Sequence, residues 1–398
     1  MKYKIYLMKF FTSKSSFLEA IKFSSNFSSD NNFEQLLKNL YIKIDNKECK
    51  IYSSNGQVSS IYKIEDDIDV EEEGEVIVNA KKLITIIQSI VSDNFTLAKL
   101  DNQLIIRAGK MQTSLNLEED VSYPEIEIDD SNFSVIDVDS FLFAKSIKKV
   151  IHSTSFQTTK NSISSAINFQ KEADDMNIWI TGSDAIKLSS CYYKVNDTED
   201  ALKAKFNFSV NALSLSYVAA FLKDKDQLLL KISKKSDKVV LTNNKFVLYL
   251  RVENEPFPEF KKILNANKVV SSFVVDKDLI SNNLHALTGV LSLSDQGKNN
   301  ADANFEILKN TLRISTNSFD IASYNSEFDI SEFQGEVKDI NLNPFYLQEH
   351  IKMFESKDIE FKLLLQSAIS GCILKVCEKN NDQFKLKFVQ VLAPSSTN

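Results

Sequence analysis

The chain has 398 residues, 43% hydrophobic and 25% charged side chains, and a net charge of −7, a length that predicts two or three domains at roughly 150 residues each. This composition excludes collagen-like, mucin-like and disordered classes. No run approaches the roughly 20 apolar residues of a membrane span, and Lys9 interrupts the apolar start before a signal-peptide core forms, so a cytoplasmic protein without membrane attachment is expected.

In chain order, a strand leads into a helix over 13–27, and alternating apolar residues in Tyr41-Ile42-Lys43-Ile44 read as a strand. The carboxylate-rich run over 65–75, broken only by Ile68, Val70 and Gly74, reads as a solvated acidic loop. An apolar strand over 75–78 precedes a helix over 79–92, and a hairpin over 102–117 follows, closed by Tyr123-Pro124-Glu125. The same order returns. A helix is predicted over 138–155, a strand at Asn177-Ile178-Trp179-Ile180, a strand over 206–210 and a helix over 211–223. A hairpin-like stretch over 227–252 ends at Phe257-Pro258-Glu259. A third round has a helix over 275–294, a strand at Thr311-Leu312-Arg313-Ile314, a strand over 340–342 and a helix over 343–356.

Three asparagines mark the period. Asn79, Asn211 and Asn343 stand at equal intervals along the chain, each after an apolar strand and before an apolar helix. Asparagine is a strong N-cap because its side-chain oxygen accepts a free helix N–H, and Pro344 at the first helical position fits the same reading. The expected fold class is α+β, with three repeated domains over 1–131, 132–264 and 265–398, each with two helices on antiparallel sheets.

Charge is uneven along these repeats. Residues 1–131 hold 15 basic and 22 acidic side chains, 132–264 hold 19 and 15, and 265–398 hold 13 and 17. The six predicted helices sum to +4 and everything else to −11. Mildly positive helices with a negative remainder could present one basic surface to phosphates; lysines on solvated helix faces are the plain alternative. Four cysteines without a CxxC or a Cys/His cluster, and three scattered histidines, predict neither a disulfide scaffold nor a metal site. Eight glycines form no phosphate-cradling loop, and the adjacent pairs Asp66-Asp67 and Asp174-Asp175 point to opposite faces of a strand. No catalytic residue, cofactor or enzymatic activity is expected.

The order of elements, the threefold repeat and several motifs together resemble the bacterial DNA polymerase III beta subunit, the replicative sliding clamp, in a divergent form typical of AT-rich genomes. The resemblance runs from Met8 onward and leaves residues 1–7 as a possible extension. Gly182-Ser183-Asp184-Ala185-Ile186-Lys187-Leu188-Ser189 is similar to the family's Ala-Thr-Asp-Gly-His-Arg-Leu-Ala signature, and Phe257-Pro258-Glu259-Phe260-Lys261-Lys262-Ile263-Leu264 to its Phe-Pro-Asp-Tyr-x-x-Val-Leu signature.

The resemblance implies a non-catalytic processivity factor. Two chains would close head to tail into a ring around duplex DNA, helices inward, held by topology rather than by sequence recognition. It implies Lys14, Lys22, Lys81, Lys82, Lys145, Lys148, Lys149 and Lys223 as DNA-facing candidates. It also implies a pocket between the second and third domains for Gln-Leu-x-Leu-Phe-like peptides of the replicative polymerase's alpha-type subunit and the clamp loader. The matching positions are Ser183, Ala185, Ile186, Lys187, Leu188, Pro258, Lys262, Ile263, Asn343, Tyr346, Ile369 and Gly371, with Val391 and Leu392 in the tail. The tail departs from the family's Met-Pro-Met-Arg-Leu-like ending: Pro394 is shifted, the arginine is missing and Ser395-Ser396-Thr397-Asn398 follow. A clamp-like repeat scaffold that binds partners without encircling DNA is the alternative.

Overall fold

The computed structural model describes residues 6–29, 35–45, 47–117, 123, 133–155, 162–196, 198–222, 226–233, 237–265, 268–293, 298–318, 322–367, 371–379 and 384–395. Pro124 and Glu125 of the first closing motif lie outside them. The chain forms two compact units. The first comprises Met1–Ala144, Val195–Ala204 and Leu213–Val252, the second Lys145–Lys194, Lys205–Ala212 and Glu253–Asn398.

The first unit holds two antiparallel sheets. One runs β5 (Ile68–Glu72), β1 (Met8–Ser13), β7 (Asn94–Leu100), β8 (Gln103–Ala108), β9 (Met111–Asn116). The other runs β10 (Phe133–Asp139), β15 (Gln227–Ser233), β16 (Lys238–Thr242), β17 (Phe246–Arg251), β4 (Val58–Ile64), β3 (Glu48–Ser54), β2 (Asn39–Asp45), β6 (Gly74–Asn79). The second unit holds a nine-stranded sheet, β14 (Phe206–Asn211), β11 (Ala166–Lys171), β12 (Asn177–Ser183), β13 (Lys187–Lys194), β26 (Lys387–Leu392), β25 (Gly371–Glu378), β24 (Asp358–Ser367), β18 (Val269–Asp276), β22 (Ser331–Gly335). Its second sheet is β21 (Ala322–Asp329), β20 (Thr311–Ser318), β19 (Ala303–Ile307), β23 (Lys338–Leu342). The α-helices are α1 (Lys14–Ser25), α2 (Ala80–Ser89), α3 (Ser140–Val150), α4 (Glu199–Lys203), α5 (Ala212–Phe221), α6 (Phe260–Leu264), α7 (Lys277–Leu291) and α8 (Pro344–Lys352). None of the described helices is long and apolar enough to cross a membrane.

The six longer helices lie where the sequence places them, and their caps have physical causes. The Asn79 side chain accepts from Lys82 N, and that of Asn343 from Phe345 N and Tyr346 N. Asn211 ends β14 directly before α5. Ser13 caps α1 through Ser16 N, and Asp276 caps α7. Two glycines share a tighter constraint: a Cβ on Gly74 would meet Leu7 O at 2.2 Å, and one on Gly335 would meet Val270 O at 2.1 Å. Each lets one strand cross close to another at matching places in the first and third repeats.

Three local expectations change. The acidic run does not stay a loop: Ile68–Glu72 pairs with β1 as an edge strand, half-burying Ile68 and Val70, while Asp69, Glu71 and Glu72 are exposed and Glu71 pairs with Lys9. Charged edges of this kind are tolerated because they discourage further pairing. Residues 227–252 form three strands rather than a hairpin, because Asn243 Oδ1 accepts from Lys245 N and Phe246 N and makes a second turn. The helix over 138–155 ends at Val150, followed by a short 3-10 turn, Ile151–Ser153.

The first unit's core centres on Phe23 of α1. Its ring lies 4.6 Å from that of Phe221, 5.0 Å from Phe246, 5.1 Å from Phe27 and 5.3 Å from Tyr62. One helical side chain thus ties α5, β17 and β4 together. All four cysteines are buried free thiols, Cys372 and Cys377 on the single strand β25; burial pushes the Cys377 thiol up to about 12. Phe23→Ala is expected to cost about 3–5 kcal/mol, read as a lower urea midpoint followed by circular dichroism; a loss below about 1 kcal/mol would show that the aromatic cluster does not organise this core.

Candidate functional site

In the second unit β13 and β26 pair antiparallel, with Lys187 opposite Leu392 and Leu188 opposite Val391. This join brings the 182–189 motif to the tail of the chain. The turn before β13 is built by Asp184, whose Oδ1 accepts from Ile186 N at 3.0 Å and Lys187 N at 2.8 Å. Ala185 sits in the turn at φ 76°, a left-handed conformation that costs a non-glycine residue roughly 1–2 kcal/mol. Ile186 stands at the tip, 48% exposed, and its carbonyl accepts from Ala393 N.

Successive strand residues face opposite ways, so the join divides the candidates between two faces. On one face Leu188 and Val391 lie in an apolar cluster with Phe260, Leu264, Leu364, Ile373, Cys377 and Val389, and Trp179, Phe257 and Ile263 pack against it. The short helix α6, absent from the sequence reading, seats Phe260 and Leu264 there. Its last carbonyl is held by Lys375 Nζ at 2.9 Å, and Lys261 Nζ lies 5.2 Å above the Trp179 ring. Pro258 is exposed at the start of this helix, and the exposed Lys262 pairs with Glu259. The i, i+4 spacing of Phe260 and Leu264 was the available signal for this element.

The other face is polar and buried. The Lys187 ammonium donates to His152 O at 2.8 Å and Glu349 Oε2 at 3.4 Å, and lies 4.7 Å above the Tyr346 ring. The Ser183 hydroxyl donates to Lys187 O at 3.0 Å. Burial, with the charges of Asp184 and Glu349, raises the Tyr346 phenol above its ordinary value. The Tyr346 hydroxyl donates to Asn299 Oδ1, while Asn343 Nδ2 donates to Lys298 O. Beside them His152 and His350 meet edge to face, ring centroids 5.1 Å apart. Ser153 Oγ and Ser189 Oγ are 2.7 Å apart, and His152 Nε2 lies 3.1 Å from Gln390 Nε2. Burial, then the Lys187 charge, lowers His152 to about 3; burial, then the nearby His152 and Lys187, hold His350 well below its ordinary value. The two histidines come from distant parts of the sequence, so only the fold makes this pair. Leu392 is fully buried and Gly371 opens β25; Ile369 lies outside the described residues.

The candidate DNA-facing lysines also divide. Lys22, Lys81, Lys82 and Lys148 are exposed. Lys14 Nζ instead caps the end of α2 through Gln88 O and Ile90 O. Lys145 and Lys149 pair with Glu355 at 2.8 and 3.1 Å, and Lys149 is buried, donating to Met353 O. Lys223 lies outside the described residues. Lys81 and Lys82 occupy the first turn of α2, which carries no acidic residue, against the helix dipole at about 0.3–1 kcal/mol each.

Two outcomes follow. The first unit's matching turn has Gly56 at φ 82°, with open space where a Cβ would stand. Ala185→Gly is therefore expected to stabilise the chain by up to about 1 kcal/mol, and Gly56→Ala to destabilise it by a similar amount, both in urea unfolding. Same-signed changes would show that φ is not what limits these turns. The lowered histidines fix a pH dependence. The unfolded chain binds protons near pH 6.5 while the folded rings resist them, so stability is lost as pH falls from about 6.5 toward 3. His152→Gln is expected to lose less stability than the parent from about pH 7 to pH 5; parallel curves would remove His152 from that acid sensitivity.

Residues 8–127 match the family described as DNA polymerase III beta subunit, N-terminal domain. The beta sliding clamp of Mycoplasma pneumoniae is 25% identical over 377 residues, covering 92% of this chain and 94% of that protein. That of Streptococcus pneumoniae is 22% identical over 407 residues, covering 98% and 100%. Among solved structures, the DNA polymerase III beta chain of Streptococcus pneumoniae aligns with a TM-score of 0.85 at 19% identity, over 98% of this chain and 100% of that one. A Pseudomonas aeruginosa sliding clamp, solved with griselimycin bound, aligns with a TM-score of 0.83 at 15% identity over the same shares. The fold is that of the DNA clamps, and the chain is similar over most of its length to bacterial beta sliding clamps.

Proposed function

We propose that this chain is a replicative processivity clamp: two copies pair head to tail into a ring around duplex DNA and tether the replicative polymerase's alpha-type subunit. The observation that carries this reading is a rule in the strand pairing. The strands β1–β9, β10–β17 and β18–β26 fall into three repeats, each with two half-sheets. The half-sheet ending at β4 joins the one ending at β17, and the half-sheet ending at β13 joins the one ending at β26. By the same rule the half-sheet ending at β21 calls for the one ending at β9, and each is an outer strand of its own sheet. Open edges with free N–H and C=O groups are templates for pairing with another chain. Joining β21 of one copy to β9 of the next would complete the third composite sheet at both ends.

In this reading Lys22, Lys81, Lys82 and Lys148 supply the weak, sequence-independent attraction to phosphates. A ring needs no more than that, because linkage replaces affinity. The two first-turn lysines of α2 support it, since they are kept at a cost to their own helix. The apolar cluster around Leu188 and Val391, rimmed by Ile186, Pro258 and Ile263, is the proposed seat for the aliphatic and aromatic anchors of partner and loader peptides. Chemistry belongs to the polymerase, and the setting is the cytoplasm where replication runs.

The test is retention on circular DNA. The parent chain is expected to sediment as a dimer and, once loaded, to stay on a nicked circle at high salt and leave when the circle is cut. Ser114→Pro in β9 removes an edge donor and is expected to give folded monomers without retention. A parent chain that sediments as a monomer, or that leaves circular and linear DNA equally as salt rises, would favour the partner-binding scaffold that encircles nothing.

A further inference from the structure

The first unit contains a cavity of about 320 Å³ at the join of β4 with β17. Val240, Tyr249 and Ser59 stand in one cross-strand row along it, with Phe133 beside them. Its rim carries Lys238 and Arg251, both exposed and directly opposite each other on β16 and β17. Like charges in that position destabilise a sheet. Among the described residues neither cation has an ion-pair partner. The nearby Asp237 carboxylate accepts from Ser233 Oγ at 2.6 Å.

The place of this cavity in the fold matters as much as its lining. The turn at Ser54-Asn55-Gly56-Gln57 repeats the one at Ser183-Asp184-Ala185-Ile186, bond for bond. Asn55 Oδ1 accepts from Gln57 N and Val58 N as Asp184 Oδ1 accepts from Ile186 N and Lys187 N. Gln57 O accepts from Arg251 N at 2.9 Å as Ile186 O accepts from Ala393 N at 2.9 Å. Ser59 and Tyr249 therefore stand where Leu188 and Val391 stand in the second unit. There the matching face is filled by Phe260 and Leu264. Here a cavity remains, and Arg251 stands where the second unit has Ala393.

We infer that this cavity is a second docking site, for a short acidic peptide of another protein. One aliphatic or aromatic side chain of that peptide enters between Tyr249, Val240 and Phe133, and a following carboxylate bridges Lys238 and Arg251. The volume suits one large side chain with its flanking backbone. A carboxylate between the two cations turns a repulsive cross-strand pair into a charge-assisted one. Nucleic acid fits less well, because a run of phosphates would also approach Asp237, and Val240, Tyr249 and Phe133 give the lining an apolar wall beside Ser59 and Gln57. The inference does not rest on ring closure or on DNA binding.

The test is fluorescence anisotropy with the full chain and a fluorescein-labelled Glu-Leu-Phe-Asp-Glu peptide. Saturable binding is expected. Lys238→Glu places a carboxylate opposite Arg251, so it is expected to raise the melting temperature and weaken peptide binding by about tenfold or more. Gaining stability while losing the peptide separates a lost site from a damaged fold. Arg251→Gln is expected to weaken binding in the same direction. Absence of saturable binding, undiminished binding by Lys238→Glu, equal binding of a Lys-Leu-Phe-Lys-Lys peptide, or preferred displacement by a single-stranded oligonucleotide would each overturn the inference.

Discussion

The structure depends on main-chain pairing between strands that belong to different repeats. At β4·β17 and β13·β26 the outer strands of two half-sheets exchange antiparallel hydrogen bonds and become interior strands of a larger sheet. A half-sheet alone would leave a long open edge and one apolar face uncovered. The join closes the edge and extends the face. It also explains why the compact units do not follow the period that the asparagines mark. The middle repeat gives β10 and β15–β17 to the first unit and β11–β14 to the second, so its packing is shared with both neighbours.

The same join makes the candidate binding groove. Leu188 and Val391 belong to different repeats, and their contact exists only because β13 and β26 are in register. Alternation along β13 then does two opposite things with adjacent residues. Leu188 turns to the apolar face under α6, and Lys187 turns to a polar interior that surrounds its charge with His152 O, Glu349 and the Tyr346 ring. That interior is expensive to protonate further. The ammonium is already buried there, so the two imidazoles beside it stay neutral. One strand thus supplies both the apolar face of the candidate groove and the polar, charge-bearing interior behind it.

Lysine serves two purposes in this chain. Lys14 and Lys277, the first residues of the leading helices of the first and third repeats, place their ammonium groups on carbonyls at the end of the partner helix. Lys149 does the same for Met353 O. These cations satisfy helix C-termini that would otherwise keep free acceptors. Others, such as Lys22 and Lys148, stand in solvent. Charge counted along the sequence merges the two groups, and only their surroundings separate them.

The sequence by itself determined the repeat, the six longer helices, the asparagine caps at Asn79 and Asn343, the antiparallel strands between them and the resemblance carried by residues 182–189 and 257–264. These are local features: a cap needs one side chain and the next turn, and a strand shows its period within a few residues. It did not give α6, the edge strand inside the acidic run, the third strand over 227–252, the histidine pair or the division of the lysines. Those depend on which strand lies beside which, and in which register. Such pairing is set by hydrogen bonds and burial between residues far apart along the chain, information that no short window of sequence contains, and tertiary structure alone decided it.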